Sequence, residues 1–85
     1  MIKETLELKL GLLTKPIWSV KDISAYYDCS ISKARKLKIR AIKENKGEVP
    51  YGSNYVLTNS VLSLFGVDRE DEIDLLKRGL NEKYK

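Results

Sequence analysis

Apolar residues recur at intervals of three and four along most of this chain, and a different pattern interrupts them past its middle. The helical spacing covers residues 4–13, 20–27, 31–45, 61–65 and 69–83. In residues 48–57, two short apolar and aromatic runs flank Gly52-Ser53-Asn54, which is the arrangement of a small β-hairpin. The pattern therefore predicts a mainly α fold with one small β-hairpin.

The first segment fits both periods. Leucine occupies every second position from 6 to 12, as in a strand, whereas Leu6, Leu10 and Leu13 keep helical spacing. Leucine, glutamate and lysine are strong helix formers, and Thr5 is the one β-branched residue of this segment. We expect a helix over residues 4–13 that ends before Pro16, with a strand as the alternative.

Serine and aspartate mark the points where three of the helices begin. Ser19 can cap the second helix, and Asp22 follows three residues later at the positive end of the helix dipole. Ser30 can cap the third helix, which we expect Gly47 to end. Asp68 can cap the last helix, whose acidic residues crowd its first turn.

The connection between the third and the last helix carries the remaining signals. Pro50 lacks an amide hydrogen, so its strand should be short or lie at a sheet edge. Thr58-Asn59-Ser60 offers capping side chains for the short helix 61–65, and Gly66 is expected to close that helix.

The charge of the chain is unevenly distributed, although its net value of +4 is mild. Residues 29–47 contain seven basic residues and a single acid, Glu44, whereas residues 68–74 contain five acids and a single base, Arg69. A basic centre beside an acidic C-terminal segment indicates a polyanionic partner for one face of the molecule.

A helical wheel divides the third helix into two faces. One arc is apolar and is expected to pack on the domain; it contains Ile31, Ala34, Leu37, Ala41 and Ile42. The opposing arc is cationic; it contains Lys33, Lys36, Arg40 and Lys43, with Ser32 at its edge. Arg35 lies at a border and Ile39 between the faces, while Lys38 falls on the packing side as an aliphatic stem.

This arrangement favours a helix whose back rests on the domain and whose front enters the major groove of double-stranded DNA. Ser32 and Lys33 lie nearest the helix start and are candidates for base contacts, whereas Arg40 and Lys43 suit phosphates. Lys36 and Arg35 complete the DNA-binding set on this helix. The simpler alternative is a solvated basic face.

The hairpin adds one residue to the DNA-binding set. Asn54 at its tip can reach a phosphate or the minor groove through its amide, as can the hydroxyl groups of Tyr51 and Tyr55. For Tyr55 we expect burial over the core instead, and Trp18 is also expected in the core. Tyr26 could face a phosphate across the turn or be partly buried.

A series of motifs between Trp18 and Phe65 follows a defined order. The motifs are the helix opening Trp18-Ser19-Val20-Lys21-Asp22-Ile23, the turn Asp28-Cys29-Ser30, the basic helix from Ile31, and the segment 51–57. In this order they resemble the excisionase and MerR-type winged helix-turn-helix families, and small DNA-binding proteins of Gram-positive phages and mobile elements.

The resemblance implies a winged helix-turn-helix at about residues 18–66, flanked by helices at about 4–13 and 69–83 in a single domain of residues 1–85. It implies a transcriptional regulator or a recombination accessory factor that works with a recombinase. Two features depart from the families, because Asp28 stands where they commonly have glycine and the wing lacks their arginines.

The composition offers little for catalysis. The chain has no histidine, one cysteine and no glycine-rich phosphate loop, so we expect neither an enzyme nor a bound cofactor or metal. We find no export signal or membrane span in the sequence and expect a cytoplasmic protein.

The alternative function is a protein-interaction module of a phage or plasmid replication or packaging complex. Leucines of the first segment and the stripe Ile73, Leu76 and Leu80 could pair two copies into a homodimer or recruit another replicon-encoded protein.

Overall fold

The computed structural model describes residues 2–49 and 54–83. Over these residues the chain forms five helices and two short strands. In chain order they are α1 (Ile2–Leu13), β1 (Ile17–Ser19), α2 (Val20–Tyr27), α3 (Ile31–Asn45), β2 (Tyr55–Leu57), α4 (Thr58–Ser63) and α5 (Arg69–Lys83). The mainly helical fold class is confirmed, and the first segment is a helix rather than a strand.

Helices α1 and α5 pack against each other in antiparallel orientation. The first residue of α5, Arg69, donates from Nε to the carbonyl of Leu13 (2.6 Å) and from Nη2 to that of Thr14 (3.2 Å). Farther along, a Cβ atom added at Gly79 would touch Leu6 Cδ1 at 3.9 Å. Arg69 therefore satisfies the free carbonyls at the end of α1, as helix ends require.

Most residues of the apolar stripes of α1 and α5 pack inside the chain. Leu76 is buried, and Leu6, Leu10 and Ile73 pack on the core around it. These four residues therefore contribute to packing within one chain, and the pairing of two copies stays a prediction.

Trp18 lies at the centre of the core, as expected. It is fully buried on β1, and its indole nitrogen donates to the carbonyl of Leu12 over 2.7 Å. Its ring lies 5.0 Å from that of Tyr26, which is also buried. Burial raises the pKa of Tyr26 to about 12, and the nearby negative charge of Glu72 is a smaller cause of the same increase. Tyr26 therefore belongs to the core.

The two strands form an antiparallel sheet in which Trp18 pairs with Val56. On the other side of Val56, Glu48 makes an isolated bridge. The predicted hairpin is therefore correct only in part: its second strand is β2, but β2 pairs mainly with β1, and the first strand is reduced to Glu48 within the described residues. Residues 50–53, with Pro50 and Tyr51, lie outside the described residues.

The predicted end of α3 is confirmed, but the residue that ends the helix is Lys46 and not Gly47. The helix ends at Asn45, and Lys46 adopts the left-handed conformation (φ 53°) that was expected of a glycine. Gly47 has a different role, because a Cβ atom there would lie 2.8 Å from Ser60 Cβ and 2.9 Å from Val56 Cγ2. Gly47 thus allows the chain to pass close to β2 and α4.

The predicted caps of the fourth helix are wrong. Helix α4 begins at Thr58, three residues before the expected start. Thr58 Oγ1 donates to the carbonyl of Lys15 (2.7 Å), and Ser60 Oγ donates to that of Asn45 (3.2 Å). Both hydroxyls hold distant segments together and therefore do not cap their own helix.

Candidate nucleic-acid interface

Helices α2 and α3 are joined by a three-residue turn that Ser24 closes. The amide of Asp28 donates to the Ser24 carbonyl, and Ser24 Oγ donates to the carbonyl of Cys29 at 2.5 Å. Asp28 adopts the left-handed conformation (φ 50°, ψ 54°) that glycine takes most readily. The turn therefore keeps the glycine-like backbone although it carries an aspartate, which is among the side chains that tolerate it best.

Each of the two helices begins at a serine cap. Ser19 Oγ accepts from the amide of Asp22 (3.3 Å), and the Asp22 carboxylate accepts from the Ser19 amide (3.0 Å) and from Lys15 Nζ (2.8 Å). Burial alone would raise the pKa of Asp22, but the hydrogen bonds from Lys15 and Ser19 outweigh it and the pKa is lowered. In α3, Ser30 Oγ accepts from the amide of Lys33 (3.2 Å), so this helix has the serine half of a capping box.

The inward face of α3 fixes the orientation of the helix. Ala34, Leu37 and Ala41 are buried, and Ile42 packs against the core. The outward positions are exposed; they are Ser32, Lys33, Arg35, Lys36, Arg40 and Lys43. The expected division into an apolar and a cationic face is therefore observed, and these six candidate residues lie on the solvent side of one helix.

One apolar residue of the wheel is misplaced. Ile31 was assigned to the packing face, but 41% of its surface is exposed, and Ile39, assigned between the faces, is 56% exposed. The buried line of α3 begins at Ala34, one turn after the helix start. Ile31 projects before that turn, where the core no longer covers it.

A groove of about 510 Å³ runs beside the cationic face. Ile31 and Ile39 form part of its apolar lining, and Arg35 and Lys38 line it from α3. Asn54, just before β2, lies at the same groove. The groove therefore brings Asn54 together with Arg35, whereas the other five candidate residues of α3 do not line it.

The groove also contains cations that sequence reasoning did not select. Lys38 was assigned to the packing side; it is half-buried and lines the groove. Lys21 lines it from α2. The periodicity of α3 carries no signal for Lys21, because Lys21 stands on another helix and reaches the groove only through tertiary packing.

Arg40, a cation of the outward face, forms an ion pair with Glu44 of the same helix. Arg40 Nε donates to Glu44 Oε2 over 2.9 Å, and both side chains are about half exposed. The hydrogen bond from Arg40 lowers the pKa of Glu44 and the same bond raises that of Arg40. The spacing of four residues between an arginine and a glutamate is the sequence signal that predicts such a pair.

Tyr55 contradicts the expectation that it covers the core. It is 45% exposed, on the face of β2 opposite to the buried Val56, because side chains alternate across a strand. Tyr55 pairs with Ser19 across the sheet, so its side chain is available to solvent near the start of α2.

Residues 2–49 and 54–83 contain neither a metal-binding cluster nor a membrane-spanning helix. No group of three or more cysteine, aspartate or glutamate side chains there could hold a metal ion, and no helix there is long and apolar enough to cross a membrane. Comparisons with protein-family models, with curated proteins and with solved structures produced no match.

Proposed function

We propose that this chain binds duplex DNA through α3, as a small winged helix-turn-helix protein that serves as a transcriptional regulator or as an excisionase-like recombination factor. The observation that carries the proposal is electrostatic. Lys33 lies in the first turn of α3, where a cation opposes the stability of its own helix, so the helix itself does not account for it.

The helix dipole gives the size of this opposition. The N-terminus of a helix is positive, and the first turn of α3 contains no acid. Lys33 is the third residue of the helix, and Arg35 and Lys36 follow in the next turn. A cation this close to the N-terminus costs about 0.3–1 kcal/mol of stability, and Lys36 faces the like charge of Arg40 four residues later.

The first turn of α5 shows the arrangement that the dipole favours, because Glu70, Asp71 and Glu72 occupy it. The first turn of α3 contains no acid, and Lys33 stands there instead. A polyanion docked on α3 would offset the cost of this cation, whereas a solvated basic face would not.

The surroundings of α3 support docking in a major groove. A recognition helix needs a buried back, and Ala34, Leu37 and Ala41 supply one. The preceding turn holds α2 against α3, and α2 and α3 pack closely along their lengths. Asn54 lines the groove beside α3 together with Lys21 and Arg35, and in this proposal Asn54 belongs to a wing and the two cations meet the phosphate backbone.

The exposed side chains divide into two roles in this proposal. Ser32 and Lys33, in the first turn of α3, contact base edges, where polar side chains can read donors and acceptors. Lys36 and Lys43 contact phosphates, which fix the register and contribute affinity. Arg40 also faces phosphate, but it must first exchange its bond with Glu44.

Binding to a labelled duplex, measured by fluorescence anisotropy at low salt, tests the proposal. Lys36→Ala should raise Kd about tenfold, the effect of losing one good phosphate contact. The matched control is Lys77→Ala, which removes an exposed lysine from α5 and should leave Kd within about twofold. Equal effects of the two variants, or no retention of the wild-type chain on any duplex, would refute the proposal.

The protein-interaction alternative is favoured by a different observation. Leu8, Phe65 and Leu75 are large apolar side chains that the fold leaves exposed. None of the three belongs to α3, so this role and DNA binding use separate surfaces. Interaction as the sole function predicts negligible binding to duplex DNA at low salt.

A further inference from the structure

We infer that Ile39 of α3 recognises a base, by contact with the C5 methyl group of a thymine in the major groove. The inference rests on the proposed function, because it needs α3 to dock in that groove. It adds a specificity-determining residue that is neither polar nor charged, and it names the base that this residue prefers.

The position of Ile39 on the helix is the first observation. Successive residues are about 100° apart around a helix, so a residue lies about 160° from its second neighbour on either side. The second neighbours of Ile39 are Leu37 and Ala41, and both are buried. Ile39 therefore points almost directly away from the core and lies near the middle of the outward face.

The exposure of Ile39 is the second observation. Ile39 is 56% exposed, so the core gains little from its apolar side chain. The helix gains nothing either, because isoleucine is branched at Cβ and forms helices less readily than lysine or arginine. The isoleucine therefore has no role in the fold that a lysine would not fill as well.

Cations stand on both sides of Ile39. Arg35 precedes it by four residues and Lys43 follows it by four, so each lies about 40° from it around the helix, in opposite directions. Lys36 lies on the same side as Lys43, and all three cations are exposed. Phosphates bound by these cations would place Ile39 over the base pairs between them.

One side of Ile39 opens into the groove beside α3. Ile31 and Arg35 lie along the same wall of the groove, at intervals of four residues. None of the described residues that line it is acidic. A DNA strand can therefore approach Ile39 from this side without meeting a negative charge among them.

The chemistry of the major groove selects the base. Guanine, cytosine and adenine present hydrogen-bond acceptors and donors there, whereas thymine presents one acceptor and its C5 methyl group. The side chain of Ile39 has neither a donor nor an acceptor, so the methyl group is the feature of these edges that it can recognise. A polar edge covered by Ile39 would lose its hydrogen bonds to water. Ile39 therefore favours thymine over the other three bases at one position.

Replacement of thymine by uracil tests this contact, since uracil lacks only the C5 methyl group. A duplex that the wild-type chain selects from a random pool is made in two forms, one with thymine and one with uracil. The wild-type chain should bind the thymine form about fourfold more tightly, as expected for one buried methyl group. Ile39→Ala should bind both forms equally. Leu75→Ala, at a similarly exposed apolar residue of α5, should keep the wild-type preference.

The ratio of the two Kd values separates base recognition from a general loss of affinity, because both forms carry the same phosphates. Three results overturn the inference while DNA binding stands: equal binding of both forms by the wild-type chain, a selected duplex without thymine, or an unchanged ratio in Ile39→Ala. A chain that selects no duplex overturns the proposed function and the inference together.

Ile39→Lys separates base recognition from charge. The new cation joins the outward face, so this variant should bind the uracil form at least about twofold more tightly than the wild-type chain does. The same variant should lose the preference for thymine, because the apolar contact is gone. A lysine variant that keeps the fourfold preference overturns the inference.

Discussion

Helices α2 and α3 follow each other in the chain and begin in the same way, but they differ at one position. Ser19 and Ser30 each accept a hydrogen bond from the amide three residues later. In α2 that residue is Asp22, whose carboxylate returns a bond to the Ser19 amide at 3.0 Å. In α3 it is Lys33, which has no acceptor to offer and places a cation at the positive end of the dipole.

The comparison distinguishes Asp22, whose charge stabilises its own helix, from Lys33, whose charge does not. Helix α5 begins with acidic residues, as α2 does. The Asp68 carboxylate accepts from the amide of Asp71 (3.1 Å), and acids fill the first turn of α5. The helix of the candidate interface is the exception. A residue type that lowers the stability of its own helix needs a reason outside the helix, and a polyanionic partner is the reason that we propose.

The largest expected effect is a difference in the free energy of unfolding between variants on the two faces of α3. Leu37→Ala removes a buried side chain and should lower the free energy of unfolding by about 2–5 kcal/mol. Lys36→Ala, one residue earlier and exposed, should change it by less than about 0.5 kcal/mol. Urea unfolding measures both values. Similar losses for the two variants would mean that the faces of α3 are not divided as described.

Lys33→Glu converts the start of α3 into the start of α2. The new carboxylate can complete the capping box with Ser30, so the free energy of unfolding should rise by about 0.3–1 kcal/mol. Duplex binding should weaken about tenfold or more, because an anion replaces a cation at the interface.

Lys33→Ala is the matched control for this change. It should weaken binding less than Lys33→Glu does and should add less stability, since it supplies no carboxylate. A glutamate variant that is less stable than the wild type, or that binds duplex as tightly, would break the contrast between α2 and α3.

Loss of the Asp22 carboxylate in α2 should change the pH dependence of the free energy of unfolding. The lowered pKa of Asp22 means that its carboxylate contributes stability above its usual pKa of about 4, and that this stability is lost as pH falls through the lowered value. Asp22→Asn should cost about 0.5–1 kcal/mol at pH 7. The difference from the wild type should disappear near pH 2. A difference that persists there would assign the loss to packing instead of charge.

The smallest expected effect concerns the ion pair between Arg40 and Glu44 on the outward face. Glu44→Gln frees Arg40 and removes an anion from the interface, so Kd for duplex should fall by about two- to fivefold. Glu70→Gln, an exposed acid of α5, is the control and should leave Kd unchanged. Equal tightening by both variants would indicate a general charge effect and no particular role for Arg40.

The parts of the fold that were predictable depend on local contacts. The caps at Ser19, Ser30 and Asp68 act within three residues, so the sequence contains the whole signal. Strand β1 is different, since Trp18 is paired with Val56. The start of α4 depends on the bond from Thr58 to Lys15, 43 residues earlier. Capping rules contain no information on such distant partners.

The candidate site likewise has features that local sequence predicts and features that depend on tertiary packing. The outward positions of Lys33, Lys36 and Lys43 follow from the helical period, because the back of α3 is held by three buried residues of that period. The exposure of Ile31 and the arrival of Lys21 at the groove depend on where neighbouring elements end. They could therefore be found only from the folded chain.

The salt dependence of duplex binding shows whether the cations of α3 meet the DNA backbone. Replacing Lys33, Lys36 and Lys43 by alanine should reduce the slope of log K against log salt by at least about two units between about 50 and 200 mM salt, one for each phosphate contact of Lys36 and Lys43. The Lys77→Ala control should keep the wild-type slope. A triple variant with an unchanged slope and affinity would contradict the account, because DNA would then be bound without the cations of α3.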